Sequence, residues 1–165
     1  MITLITICTQ PIQQIPVLLN ITAGKIHDLD GMPYLDDSFA SSIVTFDKGY
    51  WRAYWFKDLE ERQIKFVTRI KRNVQYKVTG QHPVRTEDLS AGVIKDEKIE
   101  FVTDQLRNDY PHPLRLVTFI DKDTGKEYQF ISNLLDSINY SAKQIADIYR
   151  YRWQIELFFK WIKQH

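Results

Sequence analysis

The sequence has one cysteine, Cys8, which excludes an internal disulfide and a zinc site built from cysteines. It has no apolar run near the ~20 residues of a membrane span. Its first residues lack the positive region and the cleavage site of a signal peptide. Charge of one sign is also missing, since 22 basic residues against 21 acidic residues leave +1 at pH 7. These absences predict a cytoplasmic protein without a membrane partner, in which any nucleic-acid contact uses a local basic patch.

The composition is that of a folded chain. Hydrophobic residues make up 44% of the 165 residues and aromatic residues 13%, values that argue against disorder. A chain of this length is long enough for one domain with a real core.

The first half of the sequence predicts an α/β unit. A near-continuous apolar run predicts a buried strand over residues 15–22. A second apolar strand over 43–46 ends at Asp47, helical spacing follows over 51–63, and β-branched and aromatic residues predict a strand over 64–70. Strand, helix and strand in this order indicate an α/β fold.

The middle of the chain, residues 74–132, predicts a β-rich insertion. Alternating or apolar runs indicate strands over 74–79, 93–102, 114–120 and 127–132. The stretch 107–113 is typical of a loop, and we expect no helix in the insertion.

The last element is predicted to be one long helix. Ser141 and Gln144 have the spacing of a capping box, and no glycine or proline follows as far as Lys163. At 100° per residue, four polar residues share a stripe about 60° wide: Tyr149, Arg152, Glu156 and Lys163. The four side chains of the stripe could contact one common partner. It could also be a solvated face in which Arg152 and Glu156 form a pair worth about 0.2–0.5 kcal/mol.

The spacing Tyr149-x2-Arg152-x3-Glu156-x6-Lys163 resembles the YREK signature of bacterial insertion-sequence transposases of the IS-four type. The segment 45–50 (TFDKGY) resembles the second-aspartate motif of that family, and 66–71 resembles the strand that follows it. The resemblance covers roughly residues 15–165, which predicts a partial catalytic domain there and an unmatched segment over 1–14.

The resemblance implies a DDE transposase on a ribonuclease H-like fold with an inserted β region. In this family three carboxylates hold two divalent ions, Mg²⁺ or Mn²⁺, which suit oxygen ligands and strand-transfer chemistry. By motif, Asp47 is the second carboxylate and Glu156 the third, so both are the expected catalytic and metal-binding residues. Tyr149, Arg152 and Lys163 are then expected to support the site or contact DNA phosphates. The implied partner is DNA, at transposon ends and target, handled by a homodimer.

Other residues allow two interpretations each. A basic patch is either a DNA-backbone contact or a solvated strand end: Arg69, Lys71 and Arg72. An aromatic group could stack on bases but is more typical of a core: Trp51, Tyr54, Trp55 and Phe56. The neighbours His27 and Asp28 are a poor metal site, because adjacent residues on a loop rarely converge on one ion. The simpler interpretation is that Asp28 caps a helix.

The sequence departs from the family pattern at its first catalytic aspartate. None of the upstream candidates ends an apolar strand: Asp28, Asp30, Asp36 and Asp37. We therefore expect a transposase fragment, truncated at both ends, that lacks the first strand or strands and is inactive alone. The alternatives are a non-catalytic regulator that binds DNA or pairs with a full-length transposase, and a decayed product that folds poorly.

Overall fold

The computed structural model of the chain describes the backbone of residues 2–9, 13–21 and 35–164. Side chains are described from residue 35 onward, except at 154–156, 158, 159, 162, 163 and 165. The strands are β1 (Ile2–Thr9), β2 (Gln13–Ile21), β3 (Ile43–Phe46), β4 (Lys65–Arg69), β5 (Tyr76–Gln81), β6 (Val93–Phe101), β7 (Leu114–Ile120) and β8 (Glu127–Ser132). The helices are α1 (Ala53–Glu61), α2 (Thr86–Ala91), α3 (Asp104–Asp109) and α4 (Ala142–Gln164).

The strands form one mixed sheet in the order β2-β1-β3-β4-β8-β7-β6-β5. Among the described strands, β3 and β4 are the parallel pair, with Phe46 opposite Thr68. A parallel pair needs a crossover connection, and α1 is that connection. Both strands therefore end at the same side of the sheet, called here the carboxyl edge, where Asp47 follows β3. The predicted α/β fold class is confirmed.

Apolar side chains cover both faces of the sheet because the strands alternate. Val44 and Phe66 point to the face that packs against α1, whereas Ile43 and Val67 point to the face covered by α4. The α1 face also contains Tyr110, and the α4 face is completed by Ile148. The long helix is thus packed onto the strands that lead to the carboxyl edge.

Several predicted elements are confirmed, and one prediction is wrong. The strand expected over 15–22 is β2, and the long helix expected from Ser141 is α4. The helix expected over 51–63 is the shorter α1. The insertion, expected to be free of helix, contains α2 and α3, and α3 occupies part of the predicted 107–113 loop. Both helices have only six residues, too few to display a helical repeat of apolar positions.

Candidate active site

Asp47 is held at the carboxyl edge by the backbone that follows it. Its Oδ1 accepts a hydrogen bond of 2.7 Å from the Gly49 amide, which caps a short 3₁₀ helix over Lys48–Tyr50. A Cβ at position 49 would lie 3.1 Å from that same oxygen, so glycine suits the tight approach. The Asp47 side chain is 45% exposed. The carboxylate is therefore oriented and still open to a ligand.

The helix α4 brings two residues of the polar stripe to Asp47. The Nη2 atom of Arg152 lies 3.6 Å from Oδ2 of Asp47 and 3.3 Å from the hydroxyl oxygen of Tyr149. The Arg152 guanidinium carbon also lies 5.0 Å from the centre of the Tyr149 ring. The end of β3 and the middle of α4, far apart in the sequence, thus meet at one place.

Burial decides the chemical state of this cluster. Tyr149 and Arg152 are 6% and 5% exposed, so the interpretation of the stripe as a solvated face is wrong for both residues. Burial raises the pKa of the Tyr149 hydroxyl, which the Arg152 charge opposes and the Asp47 charge supports. Tyr149 is therefore a neutral hydroxyl at physiological pH, and Asp47 is the carboxylate that faces the buried Arg152 charge.

Glu156 and Lys163 lie on α4, but their side chains are outside the described residues. Position 156 comes four residues after Arg152, one helical turn further along the same side of the helix. The expected convergence of Asp47 with Glu156 is compatible with that backbone position. The catalytic and metal-binding roles of both carboxylates stay predictions.

The start of α4 is secured in two ways. The predicted capping box is confirmed, since the Ser141 amide donates to Oε1 of Gln144 at 2.8 Å and the Gln144 amide donates to Oγ of Ser141 at 3.2 Å. In addition, Oδ1 of Asp88 on α2 accepts from the Lys143 amide at 3.2 Å. The insertion thus supplies a cap to the helix that carries the site. A carboxylate at a helix amino terminus also matches the helix dipole.

A buried ion pair ties the segment before α4 to the insertion strands. Arg115 on β7 contacts Asp96 on β6 through two hydrogen bonds, Nε to Oδ1 at 2.8 Å and Nη2 to Oδ2 at 2.6 Å. Its Nη1 donates to the carbonyl oxygens of Tyr140 at 2.7 Å and Leu134 at 3.3 Å. Sequence analysis missed this pair. The available signal was a charged residue inside each of two strands predicted to pair.

The three residues of the predicted basic patch do not come together on one surface. The guanidinium carbon of Arg69 lies 5.1 Å from the centre of the Tyr128 ring, on the α4 side of the sheet. The Nζ of Lys71 lies 5.8 Å from the centre of the Trp51 ring, on the α1 side. Arg72 is exposed. The cations therefore flank the carboxyl edge from both sides, and their contact with DNA stays a prediction.

The aromatic group after Asp47 is mostly core, as its composition favoured. Trp51, Trp55 and Phe56 are 5%, 3% and 0% exposed, and the Trp55 ring lies 4.6 Å from that of Phe46. Tyr54 differs, with 47% of its surface exposed. These rings anchor α1 and the Asp47 loop to the sheet.

The upstream acidic residues that the structure describes lie away from the site. Asp36 accepts a hydrogen bond of 2.9 Å from the Ser38 amide, and Oδ1 of Asp37 lies 3.5 Å from Nη1 of Arg62. Asp36 and Asp37 precede the start of β3, and Arg62 precedes the start of β4. These three residues therefore lie at the edge of the sheet opposite Asp47. His27, Asp28 and Asp30 are outside the described residues. Within the described part of the chain, no three His, Cys, Asp or Glu side chains form a metal-binding group.

No helix among the described residues has the length and apolar character needed to cross a membrane.

The site combines an aspartate at the end of a parallel strand with a Tyr-Arg pair on a long helix, within a mixed α/β sheet. The chain belongs to the transposase DDE domain family, whose family model matches residues 5–165. The mixed sheet is consistent with the ribonuclease H-like fold that the resemblance implied. The match begins inside the segment 1–14 that sequence analysis set apart, and the boundary at residue 15 stays a prediction.

Curated relatives are similar to this chain along most of its length. One, named "Putative transposase y4zB" of Sinorhizobium fredii, is 34% identical over 158 residues, which cover 94% of this chain and 42% of the relative. Another, "Probable transposase for insertion sequence element IS5377" of Geobacillus stearothermophilus, is 30% identical over 126 residues, 76% of this chain and 32% of the relative. The chain thus spans about a third to two fifths of the length of these relatives. No solved structure matches.

Proposed function

We propose that this chain is a catalytic-domain part of a DNA transposase, in which Asp47 and Glu156 hold the divalent metal. The observation that carries the proposal is the contact between Asp47 and Arg152, because it brings the strand end and the YREK helix of the family to one point. Family membership supports DNA as the partner and transposition as the process.

The donor chemistry of the site fits a hard cation. Asp47 offers an exposed carboxylate at a rigid strand end, and carboxylate oxygens are the ligands that Mg²⁺ and Mn²⁺ prefer. When bound, the metal would supply Lewis-acid activation of the phosphodiester and of the attacking oxygen. Arg152 would keep Asp47 oriented and its charge balanced until a metal binds. The neutral Tyr149 hydroxyl would in turn keep the guanidinium in place.

We further propose that the chain alone does not complete strand transfer. The described acidic residues before β3, Asp36 and Asp37, lie at the opposite edge and cannot supply the first carboxylate of a DDE set. A site with two of the three carboxylates would bind a divalent ion weakly and would stabilise less of the charge that develops in the transition state.

A Mn²⁺ titration tests the metal site. We expect the wild-type chain to bind Mn²⁺, and Asp47→Asn and Glu156→Gln each to weaken binding about tenfold or more, as the loss of an inner ligand should. Binding is followed by electron paramagnetic resonance of free Mn²⁺. Asp37→Asn is the matched control, since it removes the same charge from a side chain 92% exposed at the opposite edge. Equal Mn²⁺ affinity in wild type and Asp47→Asn would contradict the site.

A nicking assay on supercoiled plasmid tests the inactivity separately. We expect no metal-dependent nicking by the chain alone. Nicking that needs Mn²⁺ and disappears in Asp47→Asn would overturn the proposed inactivity and leave the metal site intact.

One observation favours the alternative role of a partner-binding regulator. At one margin of α4, Trp153 and Leu157 are 48% and 61% exposed, one helical turn apart, and they line a pocket with Phe119 and Tyr128 of the sheet. Neighbouring exposed apolar side chains of this kind can form part of a protein contact. If the chain pairs with itself or with a full-length transposase through α4, Trp153→Ser with Leu157→Ser will lower its apparent mass in light scattering or abolish co-purification. An unchanged mass and unchanged co-purification would dismiss this role for α4.

A further inference from the structure

A groove of about 300 Å³ lies at the start of α1, on the side of the sheet away from α4. Its wall includes Trp51, Arg52 and Ala53 from the beginning of the helix and Lys71 from the turn after β4. Trp51 follows Asp47 by four residues, so the groove adjoins the carboxyl edge. Asp47, the described residue of the proposed metal site, does not line this groove.

The helix α1 begins at the groove without a side-chain cap. Its N-cap is Arg52, whose guanidinium cannot accept a hydrogen bond, and its first turn contains no acidic residue. The first amides of a helix have no partner inside the helix and carry partial positive charge. The Nη1 atom of Arg52 instead donates to the Trp51 carbonyl oxygen at 2.8 Å. This end of α1 is therefore suited to an anion.

Two cations line the same groove without ion-pair partners among the described residues. Neither Arg52 nor Lys71 pairs with a described carboxylate, although Asp109 also lines the groove. Burial lowers the pKa of the Lys71 ammonium, and the nearby Arg52 charge lowers it further. The positive charge in the groove thus exceeds the negative charge that faces it.

The residues that line the groove also include a buried hydrogen-bond donor. The Trp51 side chain is 5% exposed, and its indole Nε1 has no hydrogen-bond partner among the described residues. An unpaired buried donor is costly, which points to an acceptor that the protein itself does not supply.

We propose that this groove binds one phosphate group of a DNA backbone, held by the start of α1, Arg52 and Lys71. A phosphodiester brings one negative charge and several acceptor oxygens. These match the helix amides, the Arg52 guanidinium and the Lys71 ammonium, which are all hydrogen-bond donors. The inference rests on the proposed function, since DNA is the partner there. It adds a backbone contact on the α1 side of the edge that Asp47 occupies.

Inorganic phosphate tests the anion site without DNA. In ¹⁵N–¹H spectra at constant ionic strength, phosphate should shift the Ala53 amide and the Trp51 indole resonance in a saturable way. Sodium chloride at the same ionic strength should not. Arg52→Met should remove the saturable shift, whereas Lys57→Met, which neutralises a cation further along α1, should keep it. Shifts that are absent, or equal with chloride, would overturn the proposal even if the chain binds DNA.

A duplex then distinguishes a DNA phosphate from a free one. A DNA duplex should shift the same two resonances. In Arg52→Met and in Lys71→Met, the slope of log affinity against log salt should fall by about 0.9, the value for one lost phosphate contact. Lys57→Met should leave the slope unchanged. If phosphate shifts the resonances and DNA does not, the groove serves a free phosphate ligand and the DNA assignment fails. If DNA does not bind at all, the proposed function fails while the phosphate result stands on its own.

Discussion

Replacing Arg115 by methionine should lower the free energy of unfolding by roughly 3–5 kcal/mol, because Asp96 is then left as a buried charge without its partner. Arg115 is 0% exposed and Asp96 4% exposed, so water cannot replace the lost hydrogen bonds. The carbonyl oxygens of Tyr140 and Leu134, which precede α4, lose their donor as well. Urea unfolding followed by circular dichroism measures the change.

The double variant Asp96→Leu with Arg115→Met separates charge from shape. It should recover much of the loss, since apolar replacement of a buried pair is often nearly neutral. Lys77→Met is the matched control, because it breaks the exposed Lys77–Glu100 pair between β5 and β6 and should cost less than about 1 kcal/mol. A cost for Arg115→Met no larger than for Lys77→Met would mean that the buried pair does not hold the insertion to α4.

Gly92→Ala should destabilise the protein by roughly 2–5 kcal/mol, the sum of backbone strain and a steric clash. Gly92 ends α2 with φ +115°, and a Cβ there would lie 2.3 Å from the carbonyl oxygen of Ile120. The Ile120 amide donates to the Gly92 carbonyl oxygen at 2.8 Å, so neither backbone can withdraw without losing that bond. Thermal unfolding measures the change in stability.

Gly125 provides the control for strain without a clash. Its φ is +69°, and a Cβ there would meet nothing within 4 Å. Gly125→Ala should therefore cost only about 1–2 kcal/mol. Equal effects at positions 92 and 125 would show that the close approach of Gly92 to β7 is not tight in solution.

The elements with strong local patterns were predictable from sequence. The apolar strand before Asp47 and the capping box at Ser141 and Gln144 are local signals, and the structure has both. Of the YREK residues, Arg152 contacts Asp47 and Tyr149 contacts Arg152, whereas the side chains of Glu156 and Lys163 lie outside the described residues. Periodicity alone allowed this face of α4 to be solvent-exposed, because it does not show which other part of the fold packs against it.

The remaining features depend on contacts between distant segments. The helices α2 and α3 have six residues each, too few to produce a recognisable helical pattern in the sequence, and they depend on packing against their neighbours. The role of Asp88 as a cap for α4 requires α2 to pack beside residue 143, which no local pattern encodes. The groove at Arg52 depends on the turn after β4 meeting the start of α1. The basic run at 69–72 indicated positive charge but not that its members would lie on two sides of the sheet.

The helix α4 follows all the described strands along the chain, so it leaves the ribosome after them. It contacts strands from both the insertion and the parallel pair, including β3, β4, β6, β7 and β8. Until α4 emerges, the apolar face that it covers is open to chaperones and to other nascent chains. Arg152 cannot reach Asp47 before that moment. The contact between Asp47 and α4 therefore forms only after α4 has been synthesised, and a ribosome that stalls before α4 releases a sheet whose apolar α4 face is uncovered.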